Sequence, residues 1–514
     1  MPEVMISNNE RIVKNTGMLY FRQLFVLALS LYTSRLTLQI LGESDFGVYA
    51  AVGGITAFLG VLTSSMAGAT QRFITFETGK GNISKSQKIY SVATWIHFGI
   101  AIILVFLAET IGLWFLYNKM TIPEERLNVA FWVYQLSIAT CFTSIINVPN
   151  NACIIAHERM SVVAIVAIID ALLKFSSVFL LFYVPSDKLL WYAIFLSLIN
   201  LCNYSIYLFY CRRKFPESKF LWGVDMRLAK DLFSFAGWTI VYNLSTSGFV
   251  QGTNLILNMF FGPIVNAAYT VAMQAYCGIR QFCSSFQLAS TPQIVKLYSV
   301  GQSEEMHKLV VAVCKISYFL ILFISLPFLI NAHFVLTVWL KEVPAHACNF
   351  FCLLLCYAYL DVFVYPLDIA AQATGKIRKY NILTSLAILS VLPIAYMLFK
   401  YGAIPEIIYV VAIGMSLIGI IVRLLCLSKL IGFRIKYFTL EVLGKSIIVT
   451  CISLLLPILF SYYFNSSYSA VLLSFIICLF SVGFSVYIFG LNTSEKTMVM
   501  NITRQIFNKL NKNS

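Results

Sequence analysis

The sequence predicts an all-α polytopic membrane protein with 14 transmembrane helices, and three observations lead to that fold class. Of the 514 residues, 59% are hydrophobic and 11% are charged, and the mean hydropathy is +0.82. Apolar runs of about 20 residues, enough to cross a bilayer core of about 30 Å, follow one another along the chain. Basic residues gather in alternate gaps between these runs. Little sequence remains for a soluble catalytic domain.

Each predicted span is an apolar run bounded by polar or charged residues. When the residues at the span ends are counted with the adjoining gaps, the side of the N-terminus carries 26 of the 37 Lys and Arg residues and the opposite side carries 5. One missed span would invert every later gap and erase this bias, so both termini are expected in the cytoplasm. The net charge of +15 then reflects topology and not nucleic-acid binding. The predicted spans are 16–41, 46–69, 86–110, 128–150, 160–184, 188–211, 232–261, 264–291, 309–332, 347–374, 381–400, 404–427, 446–464 and 468–490.

An internal repeat predicts how these spans are organised. Residues 42–88, shifted by 220 positions, match eight identical residues, including Gly42 with Gly262 and Gly81 with Gly301. The shift lays the second span onto the eighth, so the repeat unit has six helices and the two halves have parallel topology. We therefore expect two six-helix lobes, a basic linker and two extra C-terminal helices. Their bounds are 1–211 and 232–427 for the lobes, 212–231 for the linker and 428–514 for the C-terminal part.

Three short motifs surround the second span: Gly42-Glu-Ser-Asp-Phe-Gly47-Val-Tyr49, Gln71-Arg72-Phe73-Ile74 and Gly79-Lys80-Gly81-Asn82. In these motifs and in its helix plan the chain resembles the polysaccharide exporters of the multidrug/oligosaccharidyl-lipid/polysaccharide (MOP) flippase superfamily, and among them the O-antigen and capsule repeat-unit flippases. The resemblance implies export of undecaprenyl-diphosphate-linked oligosaccharides across a bacterial inner membrane by alternating access. It also implies a cationic cavity between two six-helix lobes.

Two arginines of span 1 are candidate cavity residues, because a charged group deep in a span is costly and by default functional. Arg22 lies on a polar stripe with Ser30, Thr33 and Thr37. The stripe is either a buried hydrogen-bonded seam between helices or the wall of a cavity. Arg35 lies near the outer end of the span, where its guanidinium either snorkels to the interface or faces the cavity.

Arg280 lies in the middle of span 8 and is the second main candidate for binding a diphosphate. Its planar guanidinium offers a fork of donors that fits phosphate oxygens. Asn254 on span 7 and Gln274 on span 8 add amide groups to the predicted cavity. Lys315 and Arg423 lie within about two turns of the cytoplasmic ends of their spans, so we expect them to snorkel.

Three intramembrane carboxylates complete the candidate site. Asp170 and Lys174 are four residues apart on span 5, so they either neutralise each other or contact substrate. Asp361 and Asp368 are seven residues apart on span 10, and Pro366 between them should kink the helix. They either form salt bridges, with Arg280 the favoured partner of Asp361, or carry a coupling ion.

The candidate function is a flippase for lipid-linked oligosaccharides, and two alternatives stay open. An ion-coupled small-molecule or multidrug antiporter would line its cavity with carboxylates, which Asp361 and Asp368 fit and the intramembrane cations oppose. A membrane-embedded oligosaccharide polymerase is a third candidate, although the outer gaps are short. We expect no enzyme activity, metal or bound cofactor, and either a proton or a sodium gradient as the driving force. The expected partners are the lipid-linked oligosaccharide, membrane lipid and other polysaccharide-assembly proteins.

Overall fold

The computed structural model describes residues 17–30, 32–33, 36–37, 39–42, 45, 49, 66–118, 124–223, 225–340, 343–463, 468–492 and 495–496, and in these residues the chain is helical with no strand. Most of the predicted span 46–69, and Arg35, lie outside them. The helices before the midpoint are α1 Gly17–Ser30, α2 66–79, α3 Ile83–Asn118, α4 Leu127–Ile146, α5 Val148–Ala156, α6 Met160–Leu180, α7 Lys188–Lys214 and α8 Met226–Ser299.

The later helices of the described chain are shorter, because several are interrupted. They are α9 Ser303–Ile330, α10 Ala332–Leu340, α11 Ala347–Asp361, α12 Val364–Thr374, α13 Arg378–Leu389, α14 Val391–Lys400, α15 Ile407–Ile431, α16 Ile435–Phe438, α17 Lys445–Tyr463 and α18 Tyr468–Ser485.

Ten helical segments of the described chain are long and apolar enough to cross a membrane, and each coincides with a predicted span. The span predicted at 86–110 continues to Asn118 through a wider turn at Ala108–Gly112, so the outer gap after it is shorter than expected. The two spans predicted at 232–261 and 264–291 are the two halves of α8. Gly262 separates them at φ 77° and ψ −176°, a conformation that only glycine adopts readily. The all-α polytopic fold class is confirmed.

The 220-residue repeat is visible in the backbone conformation. Gly42 and Gly262 both have φ 77°, while Gly81 and Gly301 have φ 72° and 78°. Around Gly81, the glycine amide donates to the carbonyl three residues earlier and the next amide to one five residues earlier, both at 3.0 Å. The same bonds around Gly301 measure 3.1 and 3.0 Å. Both helices therefore end in the same left-handed glycine cap.

The chain divides into two compact units. The first comprises Met1–Leu244, Leu288–Ser303 and Gln372–Ile382, and the second comprises Ser245–Gln287, Glu304–Ala371 and Leu383–Ser514. In the first unit, the buried side chains of Leu19, Ile155, Met160 and Ala289 pack together and join α1, α5, α6 and the end of α8. In the second unit, Tyr318 of α9 hydrogen bonds to Thr450 of α17 at 2.7 Å. The lobe, linker and C-terminal bounds from the sequence stay a prediction.

Candidate functional site

Arg22 of α1 lies in a polar group that belongs to the first unit. Its Nη2 is 3.5 Å from Oε1 of Gln23, and the Tyr207 hydroxyl of α7 is close enough to interact with it electrostatically. Thr33 and Thr37, which share its predicted stripe, donate to the carbonyls four residues earlier in their own helix. Arg22 itself is half-buried. Ser30 also donates to a nearby backbone carbonyl, so all three hydroxyls of the stripe are bonded to the backbone and the guanidinium is its strongest remaining donor group.

Asp170 and Lys174 of α6 are paired in the structure, as one of the two sequence interpretations proposed. Lys174 Nζ is 2.8 Å from Asp170 Oδ2, and Asn203 Nδ2 of α7 donates to Asp170 Oδ1 at 2.7 Å. The side chains of Lys174 and Asp170 are 47% and 27% exposed. Lys174 is therefore neutralised by Asp170, whereas the described residues place no carboxylate within ion-pair distance of Arg22. Sequence reasoning missed Asn203 and Tyr207, although their four-residue spacing in an apolar span signals a polar face.

Arg280 of α8 is paired with Asp361 of α11 in the second unit. Its Nε is 2.9 Å from Asp361 Oδ2, and its Nη1 donates to Ser284 Oγ and Gln287 Oε1, both at 3.3 Å. The side chains of Arg280 and Asp361 are 16% and 24% exposed. This geometry is the salt-bridge alternative for Asp361. The Arg280 guanidinium is therefore already matched by a carboxylate, whereas Arg22 has no such partner among the described residues.

Pro366 interrupts the helix that carries the two carboxylates, as its sequence position predicts. α11 ends at Asp361 and α12 begins at Val364. Proline has no amide hydrogen to donate to the carbonyl four residues earlier, which is that of Val362. Gln287 Nε2 of α8 donates to this carbonyl at 2.7 Å. Gln287 thus accepts a hydrogen bond from Arg280 and also donates one to the carbonyl at the helix break beside Asp361.

Asp368 of α12 forms the second buried ion pair, and its partner corrects an expectation. Arg423 Nε of α15 is 2.9 Å from Asp368 Oδ1, and the two side chains are 3% and 9% exposed. Arg423 does not snorkel, because this carboxylate lies within its reach. Lys315 of α9 was also expected to snorkel but is 1% exposed, with Nζ 2.7 Å from Oε2 of Glu495. Both cations are neutralised inside the second unit.

Two of the remaining candidates, Asn254 and Gln274, contribute less to this network. The Asn254 amide donates to the Val250 carbonyl of its own helix at 3.2 Å, and Gln274 is exposed. His97, buried in α3, donates a hydrogen bond from Nδ1 to the Ala93 carbonyl at 2.8 Å, as a packing residue does.

The arginine of the Gln71-Arg72-Phe73-Ile74 motif has a structural task that the sequence did not reveal. Arg72 donates from Nε to the Gln372 carbonyl at 3.0 Å and from Nη2 to the Ala373 carbonyl at 2.8 Å. These carbonyls lie at the end of α12, where helix carbonyls lack partners. A Cβ on Gly375 would lie 2.9 Å from Arg72 Nη2. The motif therefore caps a helix end that is more than 290 residues away in sequence.

Comparisons with known proteins identify the family and the fold. A family model described as "Polysaccharide biosynthesis protein" matches residues 12–298, which is more than half of the chain. No curated protein matches the sequence. Several solved structures share the fold at low identity. A MATE crystal structure in the bent conformation has TM-score 0.71 and 14% identity, over 82% of this chain and 96% of that one.

Two other solved structures are named as transporters of the MOP superfamily. One is a multidrug resistance MATE family transporter in an outward-facing conformation, with TM-score 0.68 and 12% identity over 82% of this chain and 96% of its own. Another is a transporter from Pyrococcus furiosus whose binding pocket is described as reversed in polarity. It has TM-score 0.64 and 12% identity, over 81% of this chain and 96% of its own. The chain therefore belongs to the polysaccharide biosynthesis protein family and has the fold of MATE transporters of the MOP superfamily.

Proposed function

We propose that this protein is a flippase that moves undecaprenyl-diphosphate-linked oligosaccharide repeat units across the bacterial inner membrane by alternating access, for O-antigen or capsule assembly. The family match supports polysaccharide synthesis, and the fold supports transport. On this proposal the chain is a transporter and not an enzyme, both termini are cytoplasmic, and either a proton or a sodium gradient drives the cycle.

The observation that carries the proposal is the difference in charge balance between the intramembrane groups of the two units. In the second unit Asp361 and Asp368 each pair with an arginine. In the first unit, Lys174 is matched by Asp170, while Arg22 contacts, among the residues that the structure describes, the neutral Gln23 and Tyr207. An intramembrane guanidinium with neutral neighbours favours an anionic ligand, and a diphosphate is a strong and multidentate acceptor.

The same charge balance weighs against a multidrug antiporter, the fold's other candidate function. A cationic drug needs carboxylates with spare charge, and Asp361 and Asp368 already accept from guanidinium groups at 2.9 Å. Binding a cation there would cost the buried arginines their partners. An anionic lipid headgroup at Arg22 requires no such exchange.

The proposal is tested with the purified full-length protein in proteoliposomes. One set of vesicles contains a fluorescent undecaprenyl-diphosphate oligosaccharide, and a matched set contains an organic dye cation that multidrug antiporters export. The flippase reading predicts protein-dependent movement of the lipid between leaflets and no dye transport above empty vesicles. Dye transport without lipid movement would overturn the proposal in favour of the antiporter.

A further inference from the structure

Cys153, His157 and Glu217 form a cluster in the first unit whose ligand atoms all lie within 4.8 Å of one another. Cys153 and His157 are one helical turn apart at the end of α5, so their side chains project from the same face. Glu217 belongs to the short turn Pro216–Ser218 that follows α7. Cys153 and Glu217 are buried, at 0% and 3% exposure. The substrate site described above uses none of the three.

Cys211 adds a second thiol to this cluster. It lies in the last turn of α7, is fully buried, and its thiol is close enough to that of Cys153 to interact with it electrostatically. Its Sγ is also 3.4 Å from the Asn150 carbonyl. Cysteine sulfur, imidazole nitrogen and carboxylate oxygen are all ligand atoms that zinc takes in proteins, and the two thiols and the imidazole match three of the four ligands of a Cys2His2 site. Zinc bonds of about 2.0–2.3 Å place tetrahedral ligand atoms about 3.3–3.8 Å apart, so Cys153, His157 and Glu217 need only small side-chain shifts, whereas Cys211 lies outside their 4.8 Å cluster and has to move further.

The surroundings suit a bound divalent cation. The His157 ring is held by stacking on Phe215, with centroids 4.1 Å apart and planes at 8°. Nε2 of His157 donates a hydrogen bond to Oε1 of the buried Glu217 carboxylate, so the imidazole and the carboxylate already face each other. The side chain of His157 is 24% exposed, which gives an ion a route from solvent.

A simpler account of these contacts is an ion pair between His157 and Glu217 that fastens the 216–218 turn to α5. That account gives the adjoining buried thiols of Cys153 and Cys211 no role other than packing. We propose that Cys153, His157, Glu217 and Cys211 bind a structural zinc ion, which ties the end of α5 to the segment that follows α7. Such a site stabilises the fold because metal binding adds to the free energy of the folded state.

The test begins with the wild-type full-length protein, purified in detergent without chelators, whose zinc content is measured by mass spectrometry. The proposal predicts about one zinc ion per chain. After zinc removal, titration with cobalt(II) should produce the thiolate-to-cobalt charge-transfer band and the intense visible bands of tetrahedral coordination. Zinc added to the stripped protein should raise the thermal midpoint of unfolding.

Cys153→Ser and Glu217→Gln should each lower zinc content at least fivefold and remove the zinc-dependent rise in midpoint. Cys478→Ser is the matched control, since Cys478 is another buried cysteine, on α18. It should keep the wild-type zinc content. A wild-type protein with no zinc and no cobalt–thiolate band overturns the proposal, whether or not the variants fold. Equal zinc content in Cys153→Ser and wild type overturns it as well.

Discussion

Removing one charge from the Arg280–Asp361 pair should destabilise the protein more than removing both. The pair is joined at 2.9 Å and its side chains are 16% and 24% exposed. Breaking a buried ion pair costs about 3–5 kcal/mol. Ser284 and Gln287 still accept from Arg280 at 3.3 Å, and partial exposure screens the charge. We therefore expect the lower end, about 3 kcal/mol, for Asp361→Leu. Asp361→Asn should cost about 1–2 kcal/mol, because its amide oxygen can still accept from Nε.

The Arg280→Met/Asp361→Leu double variant should lie within about 1 kcal/mol of wild type, since it leaves no uncompensated charge. Unfolding of the purified protein by SDS in mixed micelles, followed by far-UV circular dichroism, measures each free energy. As a comparison, Asp368→Leu should cost about 5 kcal/mol, because its pair with Arg423 is more deeply buried. The reasoning is refuted if the double variant is no more stable than Asp361→Leu. It is also refuted if Asp361→Asn keeps wild-type stability while transport no longer responds to a proton or sodium gradient, which would assign Asp361 to ion coupling.

Three further predictions follow from other parts of the chain. Gly375→Ala should cost about 1–2 kcal/mol for its positive φ of 76° and more for displacing Arg72, whereas Gly402→Ala, with φ 86° and nothing near its Cβ, should show the backbone cost alone; equal losses in SDS unfolding would exclude the contact. Burial tends to raise the pKa of Glu406, but hydrogen bonds from Asn349 and His346 lower it below its ordinary value. The contribution of Glu406 to protein stability should therefore be complete above about pH 4.5 and decline as the pH falls below it. The thermal midpoint of Glu406→Gln should lack this acid-dependent loss, and a parallel loss in the variant would contradict the assignment. Reporter fusions at residue 186 should read as periplasmic and those at 220 as cytoplasmic, and a swap of the two would break the topology.

The spans and the repeat could be predicted because they depend on local properties of the chain. Hydropathy and the bias of Lys and Arg towards one side of the membrane both follow from the properties of the bilayer. They predict the ten long apolar helices of the described chain without any tertiary information. The break after Asp361 follows from Pro366 in the same way, since a missing amide is a local property. Gly262 and Gly301 matched their repeat partners because positive φ restricts the residue type.

The partners of the charged residues could be predicted less well, because they depend on packing. The pairing of Asp361 with Arg280 could be predicted only from the similar depth of the two residues in their spans. The prediction that Arg423 snorkels was wrong, because the distance of Arg423 from its helix end gives no information about Asp368, which lies on another helix. Arg72 was recognised as part of a motif, but its carbonyl partners near residue 372 are far away in sequence. Pairings between helices distant in sequence need the folded structure.

The most direct test of the central claim is lipid movement by Arg22 variants in proteoliposomes. If Arg22 binds the diphosphate, Arg22→Gln should lower the rate of oligosaccharide–lipid translocation about 10-fold to 100-fold, because a hydrogen bond to a charged group contributes about 1.5–3 kcal/mol. Arg22→Lys should retain more activity than Arg22→Gln at equal reconstitution, since it keeps the charge and loses the fork of donors. Arg213→Gln, which removes an exposed arginine at the end of α7, is the matched control and should stay near wild type. Wild-type translocation by Arg22→Gln would contradict the account.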